Sequence, residues 1–331
     1  MKIVLALPYF PQPRGNTVTV QRIADGLVSL GVQTDIFSTT EEKISNFIQS
    51  ADLVHGFHAY QFYKFMQKLD NKPESYVVTL TGTDLNHDLF NPDRRNDVLA
   101  SLNGAKAIHV FEDKAKDILV GEAPRLKDKI YTIVQGVSSF PIKKCSFIKE
   151  PNSFLFVLPA GVRKVKNIPF AITALYELHK KMPNIRLWLV GPILEEEEGK
   201  IVLELVKRHC EWITYIGQVP HVEMGCVYDT ADAVLNTSHS EGQPCAILEA
   251  MSYELPVIAS NIQGNRSIIS NGKTGLLFNG QDEFIYCAEK VINNHEIRET
   301  IGQSAKAYVA EHHSSSAEAE ALLKIYRNIL E

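Results

Sequence analysis

Apolar positions in this chain fall into short runs rich in β-branched residues, separated by longer stretches in which they recur every three or four places. The runs Ile3–Leu7, Gln33–Phe37, Asp52–Val54, Tyr76–Leu80, Ala107–Phe111 and Ile130–Val134 predict strands. Between the first two, Val20, Ile23, Ala24, Leu27 and Leu30 keep helical spacing, and Gly31 supplies the stop. Strand, helix and strand repeated in this way imply a parallel sheet covered on both faces.

The pattern then breaks and restarts. Residues 138–152 are polar and basic, contain two prolines and read as a linker. A second series follows: Phe154–Leu158, Leu187–Val190, Ile213–Ile216, Ala233–Leu235, Val257–Ala259 and Leu276–Phe278, with helical stretches such as Ile168–Lys180 between them. The expectation is an α/β protein of two Rossmann-like, doubly wound domains, 1–142 and 143–315, facing across a cleft lined by the carboxyl ends of both sheets. The amphipathic segment 316–331 is free to pack on either half and is assigned to the first.

Composition narrows the function classes. The 331 residues are 45% hydrophobic and 22% charged with a net charge of -5, which argues against broad phosphate neutralisation on nucleic acid. The five cysteines, at 145, 210, 226, 245 and 287, form no Cys-x-x-Cys pair, so neither zinc nor a redox dithiol is indicated and a reducing, cytoplasmic setting is expected. MKIVLALPYF has too short an apolar run for a signal peptide and reads as the first strand. No run of about 18 apolar residues predicts a membrane span.

The densest segment is HSEGQPCAILEAMSYELPVIAS, 239–260, with Glu241 and Glu249 eight apart around a Gly-x-Pro step. Pro244 suits a first helical turn, which places Glu241 at a strand-to-helix corner and Glu249 near the second turn. The amides of Gly242, Gln243 and Cys245 then open the helix and favour anionic or polar groups. Carboxylates accept hydrogen bonds, so a hydroxyl-rich ligand fits, with each acid holding a different sugar of one molecule. Acid, Gly, LEAM and PVIAS in this order resemble the E-x7-E region of retaining glycosyltransferases of the GT-B architecture, the glycosyl transferases group 1 family. The resemblance implies that Glu241 contacts the donor sugar and Glu249 the nucleotide ribose.

Arg163 and Lys166 stand three apart after the first strand of the second half, near a helix start, and suit a phosphate. In the family this Arg and Lys bind the donor diphosphate. Gly15, after the first strand of the chain, lets backbone amides approach a phosphate or the transferring sugar, as the family's Gly-rich loop does. No Gly-x-Gly-x-x-Gly follows a strand, which counts against a nicotinamide or flavin oxidoreductase. Thr81, Gly82 and Asp84 resemble the family stretch facing the acceptor and the reacting centre, although many members carry a histidine where Thr81 stands. Asp84 is read either as binding an acceptor hydroxyl or as capping the following turn. Gly191 matches the family's glycine on the nucleotide-base side, and Asn265 stands where relatives often carry an acid.

Other segments are bland on their own chemistry. Glu195–Glu198 reads as a solvated helix face rather than a metal site, and His312-His313 as an exposed pair. Tyr60–Lys68 reads as core packing with lysines at the edge; peripheral membrane contact is left open but not indicated.

The resemblance implies transfer of a sugar from a nucleoside-diphosphate donor, of UDP or GDP type, with retention and without metal or other cofactor. The acceptor is a glycan, a lipid or a small molecule. Alternatives of the same architecture are a nucleotide-sugar-binding pseudoenzyme, suggested by the missing histidine, and a sugar-nucleotide epimerase. Donor base, sugar, acceptor and oligomeric state are not written in the sequence.

Overall fold

The computed structural model describes residues 1–40, 48–137, 139–141 and 147–331. The chain forms two compact units, Met1–Gly136 with His312–Glu331, and Val137–Glu311. The expected boundary at 142/143, part of the expected linker 138–152 and Cys145 lie outside the described residues. Cys210, Cys226, Cys245 and Cys287 are not disulfide-bonded.

In the first unit the strands are β1 (Lys2–Leu7), β2 (Gln33–Ser38), β3 (Leu53–Phe57), β4 (Tyr76–Thr79), β5 (Ala107–Val110) and β6 (Ile130–Thr132). They form one parallel sheet in the order β2-β1-β3-β4-β5-β6. Strand β1 shows why the run is apolar throughout: Ile3, Leu5 and Leu7 feed one core, Val4 and Ala6 the other. The third run extends past the expected Asp52–Val54 to Phe57 because His55 and Gly56, which interrupt the apolar pattern, are both accommodated. His55 is fully buried and satisfied, and Gly56 lies beneath the Phe62 ring, where a Cβ would come within 2.3 Å of it.

The helix Gly15–Ser29 lays Val20, Ile23, Ala24 and Leu27 on the sheet, and Gly31 beyond it adopts φ 80°, the left-handed region that favours glycine. The C-terminal helix Ser315–Leu330 packs against it through Leu322, Leu323, Ile325 and Tyr326. Gly26 permits the close approach, since a Cβ there would meet Ala319 Cβ at 2.7 Å. The buried guanidinium of Arg22 grips Glu318 through two bonds of 2.8 and 3.0 Å. His313 departs from the expected exposed pair: it is buried, with Nδ1 2.6 Å from the Gln135 carbonyl, while His312 is exposed.

A buried polar chain crosses this sheet. Tyr326 Oη meets His55 Nδ1 at 2.6 Å, His55 Nε2 meets Thr79 Oγ1 at 2.6 Å, Thr79 meets His109 Nδ1 at 2.8 Å, and His109 Nε2 reaches the Ile133 carbonyl at 2.9 Å. Burial holds both histidines below the ordinary value of 6.5, and His109 adds to the effect on His55. Burial does the same to His313. The unfolded chain therefore binds protons near pH 6.5 that the folded chain refuses, so this stabilisation is complete above that pH and is lost as pH falls below it. The expected slope approaches about 1.4 kcal/mol per pH unit for each histidine. Urea midpoints at pH 7.5 and pH 5.5 should differ accordingly, and equal midpoints would contradict this account.

The second unit holds β7 (Phe154–Pro159), β8 (Ile185–Val190), β9 (Ile213–Gly217), β10 (Ala233–Asn236), β11 (Val257–Ser260) and β12 (Leu276–Phe278). All pair in parallel, in the order β12-β11-β10-β7-β8-β9. Along β7, Phe154, Phe156 and Leu158 face one core, Leu155 and Val157 the other. The order reverses between β7 and β10. In a doubly wound sheet the loops leaving the carboxyl ends of those two strands diverge and open a crevice.

Candidate functional site

Both loops at that switch point carry the residues singled out from sequence. After β7, Arg163 enters a short 3-10 turn, Lys164–Lys166, and Asn167 then takes the left-handed conformation (φ 50°, ψ 43°) that asparagine tolerates. The helix Ile168–His179 follows. After β10, Thr237 to Gln243 turn the chain toward the helix Cys245–Ser252. The loops are laced together: His239 N–H donates to the Val165 carbonyl at 2.8 Å, and Thr237 Oγ1 to those of Lys166 and Asn167 at 2.9 and 3.1 Å.

This lacing brings Lys166 to Glu241, 75 residues away in sequence, at 2.5 Å between Nζ and Oε1. The pair is nearly buried, with side-chain exposures of 15% and 11%. Ser238 Oγ donates to the same oxygen at 2.6 Å and Asn236 Nδ2 at 3.1 Å. Burial works against the charge on Glu241, but the Lys166 ammonium and these two donors outweigh it and hold the carboxyl below its ordinary value. The network continues: Asn265, fully buried, donates through Nδ2 to Asn236 Oδ1 at 3.2 Å and to the Ser260 carbonyl at 2.9 Å. Asn265 thus supports the Glu241 loop from behind, at the place where relatives often carry an acid. Arg163 Nε is buried and has no hydrogen-bond partner among the described residues. A buried guanidinium nitrogen without a partner is costly, which suits a cation awaiting an anionic ligand.

Pro244 is not in the first helical turn as expected. It is the cap, with ψ 111°, and its carbonyl accepts from Ile247 and Leu248, so the helix begins at Cys245. Glu249 does fall on the second turn, and its carboxylate is held on both sides: Tyr228 Oη donates to Oε2 at 2.8 Å and His221 Nε2 to Oε1 at 2.7 Å. Gly242 and Gln243 form the turn over which Gly264 packs, a Cβ on Gly264 falling 1.9 Å from the Gly242 carbonyl oxygen. Gly191 closes β8 with φ 148°, and a side chain there would strike the Ala160 carbonyl at 2.3 Å, so glycine is required for the β7 and β8 loops to lie together. Tyr215 Oη donates to the Gly191 carbonyl at 2.8 Å.

The first-unit candidates lie at the carboxyl ends of β1 and β4. Gly15 is the first residue of its helix, and a Cβ added to it meets nothing within 4 Å. Thr81 caps the short helix Gly82–Asn86, and its N–H and hydroxyl both donate to Asp84 Oδ1, at 2.7 and 2.8 Å. Asp84 Oδ2 accepts from Ala59 N–H at 2.7 Å. Of the two sequence readings of Asp84, the cap is the one in place. The residue has no exposed surface and serves two helix starts. His58, at the end of β3, has φ 74° and ψ 92°, a strained backbone for a non-glycine residue.

Sequence reasoning missed Asn236, Ser238, His221 and Tyr228. Asn236 carried a signal, a polar side chain closing an apolar strand before an acid-bearing turn. His221 and Tyr228 reach Glu249 only through the fold. The acidic run spans the cap Glu195 and the first turn of the helix Glu196–Arg208, with Glu196 and Glu197 paired to Lys200. Among the described residues, no group of three or more His, Cys, Asp or Glu could hold a metal, and no helix is long and apolar enough to cross a membrane.

Residues 141–308 match the family described as "Glycosyl transferases group 1". The chain is 29% identical over 328 residues to "Glycosyltransferase 1 domain-containing protein 1" of Xenopus tropicalis, covering 95% of this chain and 94% of that protein. It is 26% identical over 309 residues to "Alpha-monoglucosyldiacylglycerol synthase" of Acholeplasma laidlawii, covering 84% of this chain and 76% of that protein. In fold it resembles sucrose-phosphate synthase from Thermosynechococcus elongatus, with a TM-score of 0.79 at 15% identity over 99% of both chains. It also resembles Anabaena Alr3699/HepE in complex with UDP and glucose, with a TM-score of 0.74 at 15% identity over 98% of this chain and 99% of that one.

Proposed function

Because the chain belongs to the glycosyl transferases group 1 family, we propose that it moves a sugar from a nucleoside-diphosphate donor to a hydroxyl of its acceptor, with retention at the anomeric carbon. The donor is held by the unit Val137–Glu311. The observation that carries this reading is the ion pair of Lys166 with Glu241 at the switch point of that unit. It puts an acid able to orient sugar hydroxyls beside a cation able to take a phosphate. That the Anabaena structure holds UDP and glucose supports a donor of this class.

The bond from the anomeric carbon to the diphosphate oxygen breaks while the acceptor oxygen forms its bond to that carbon. The acceptor proton leaves with the diphosphate. Negative charge grows on the leaving group and positive charge on the sugar ring. Arg163 and Lys166 are fixed cations for the first, and a carboxylate kept charged at Glu241 suits the second. No metal is needed in this scheme, since the two cations compensate the diphosphate. Glu249 receives the ribose, Gly15 serves the phosphate or the transferring sugar, and the Thr81–Gly82 turn serves the acceptor side.

Thermal-shift measurements with UDP, GDP and ADP sugars would rank the donors, because a ligand stabilises the fold in proportion to its binding. Transfer to an acceptor, release of an epimer, or binding with neither would then separate a transferase from an epimerase and from a binding protein. Arg163→Ala should lower turnover roughly 30-fold, about one charge-assisted hydrogen bond lost from the transition state, and change donor affinity less than about threefold. Unchanged turnover would refute the role.

A further inference from the structure

Glu249 differs from Glu241 in how it is held. One of its oxygens is fixed from within, by Tyr228, whose ring is buried in the core beneath the helix Cys245–Ser252. The other is fixed from the rim, by His221 on the 3-10 turn His221–Glu223. The His221 side chain is 40% exposed while that of Glu249 is 9% exposed. A carboxylate only accepts hydrogen bonds, so Nε2 of His221 carries the proton in this contact. The imidazole is backed by Phe140, ring centroids 5.0 Å apart, and Phe140 rests in turn on Tyr253 and Tyr228 at 5.8 and 6.0 Å.

An ion pair or hydrogen bond this exposed adds little to stability, about 1 kcal/mol or less. The chain nonetheless backs the donor ring with an aromatic side chain. What the arrangement achieves is orientation. With one donor on each oxygen, the carboxylate plane is fixed and each oxygen keeps a second lone-pair direction. Two parallel acceptor positions match the two O–H groups of a vicinal diol, the recognition element a ribonucleotide presents and a deoxyribonucleotide lacks.

We infer that His221 is a positioning residue for the donor ribose, holding Glu249 Oε1 so that the carboxylate meets both ribose hydroxyls. This rests on the reading of Glu249 as the acid that receives the ribose, and it adds the residue that makes that acid selective for a diol.

Calorimetric titration with UDP and with 2′-deoxy-UDP tests it, or with GDP and 2′-deoxy-GDP if the wild-type protein prefers guanine. The wild-type protein should favour the ribonucleotide about tenfold, one net hydrogen bond's worth. His221→Ala should weaken the ribonucleotide about tenfold and the deoxyribonucleotide less than about twofold, erasing the preference. His221→Gln, whose Nε2 can donate from nearly the same place, should keep most of the preference and guards against a folding defect in the alanine variant. Equal weakening of both nucleotides would overturn the inference, as would no change or tighter ribonucleotide binding in His221→Ala. Those failures differ from failure of the donor reading itself, in which the wild-type protein binds neither UDP nor GDP and the inference falls with it.

Discussion

The Lys166→Ala variant is expected to turn over about 1,000-fold more slowly than the wild-type enzyme and to lose about 3 kcal/mol of stability. Both effects come from one contact. Lys166 is a charged partner of Glu241, whose carboxylate also accepts from the hydroxyl of Ser238 and the amide of Asn236. With side-chain exposures of 15% and 11%, the pair has little solvent to fall back on. Removing the lysine takes this counter-charge from a nearly buried carboxylate and, in the proposed mechanism, one cation from the leaving diphosphate.

Stability and catalysis can be pulled apart by a second substitution. In Lys166→Met with Glu241→Gln, the buried charge is gone from both sides, and most of the lost stability should return because a neutral pair of similar volume has no desolvation penalty to offset. Activity should not return. Melting temperature and single-turnover transfer on the three proteins make the comparison. A Lys166→Ala enzyme with wild-type turnover would remove the cation from the mechanism. A double variant that regained activity would show that the pair serves only the fold.

How far the sequence alone reaches is visible in the same residues. Strands such as β1 and β7 were legible because strands buried on both faces are written as unbroken apolar runs; β3 was cut short where a satisfied histidine and a glycine under an aromatic ring broke the run. Glu241, Lys166 and Arg163 could be chosen because loops that leave strand ends at a switch point carry chemistry in recognisable residue types. What stayed hidden depends on closure between distant segments. Nothing local marks Tyr228 and His221 as partners of Glu249, 21 and 28 residues away. Nor does anything local distinguish His313, buried against Gln135, from its exposed neighbour His312. Asp84 shows the opposite limit. Its two sequence readings are chemically equal, and only the placement of Ala59 and Thr81 around it selects the cap.

Gly264→Ala should lower turnover about 100-fold although residue 264 carries no side chain and is proposed to touch no substrate. It sits in the short helix Gln263–Arg266, and a Cβ would fall 1.9 Å from the Gly242 carbonyl oxygen and 2.6 Å from that of Glu241. Both obstacles are backbone, so no rotamer change relieves the collision. The loop must retreat by roughly 1 Å, enough to take the Glu241 carboxylate out of register with Lys166 and with a bound sugar. The variant will also be less stable, and an unrelated glycine supplies the control. In Gly302→Ala a Cβ would strike the Glu254 carbonyl oxygen, also at 1.9 Å, from the helix His295–His312. The two substitutions should cost similar stability, but Gly302→Ala should keep turnover per folded molecule within about threefold of wild type. Rates taken well below both melting temperatures decide between the explanations. If the two variants lose turnover alike, Gly264 matters only to packing; if Gly264→Ala alone is impaired, the placement of the Glu241 loop is itself part of catalysis.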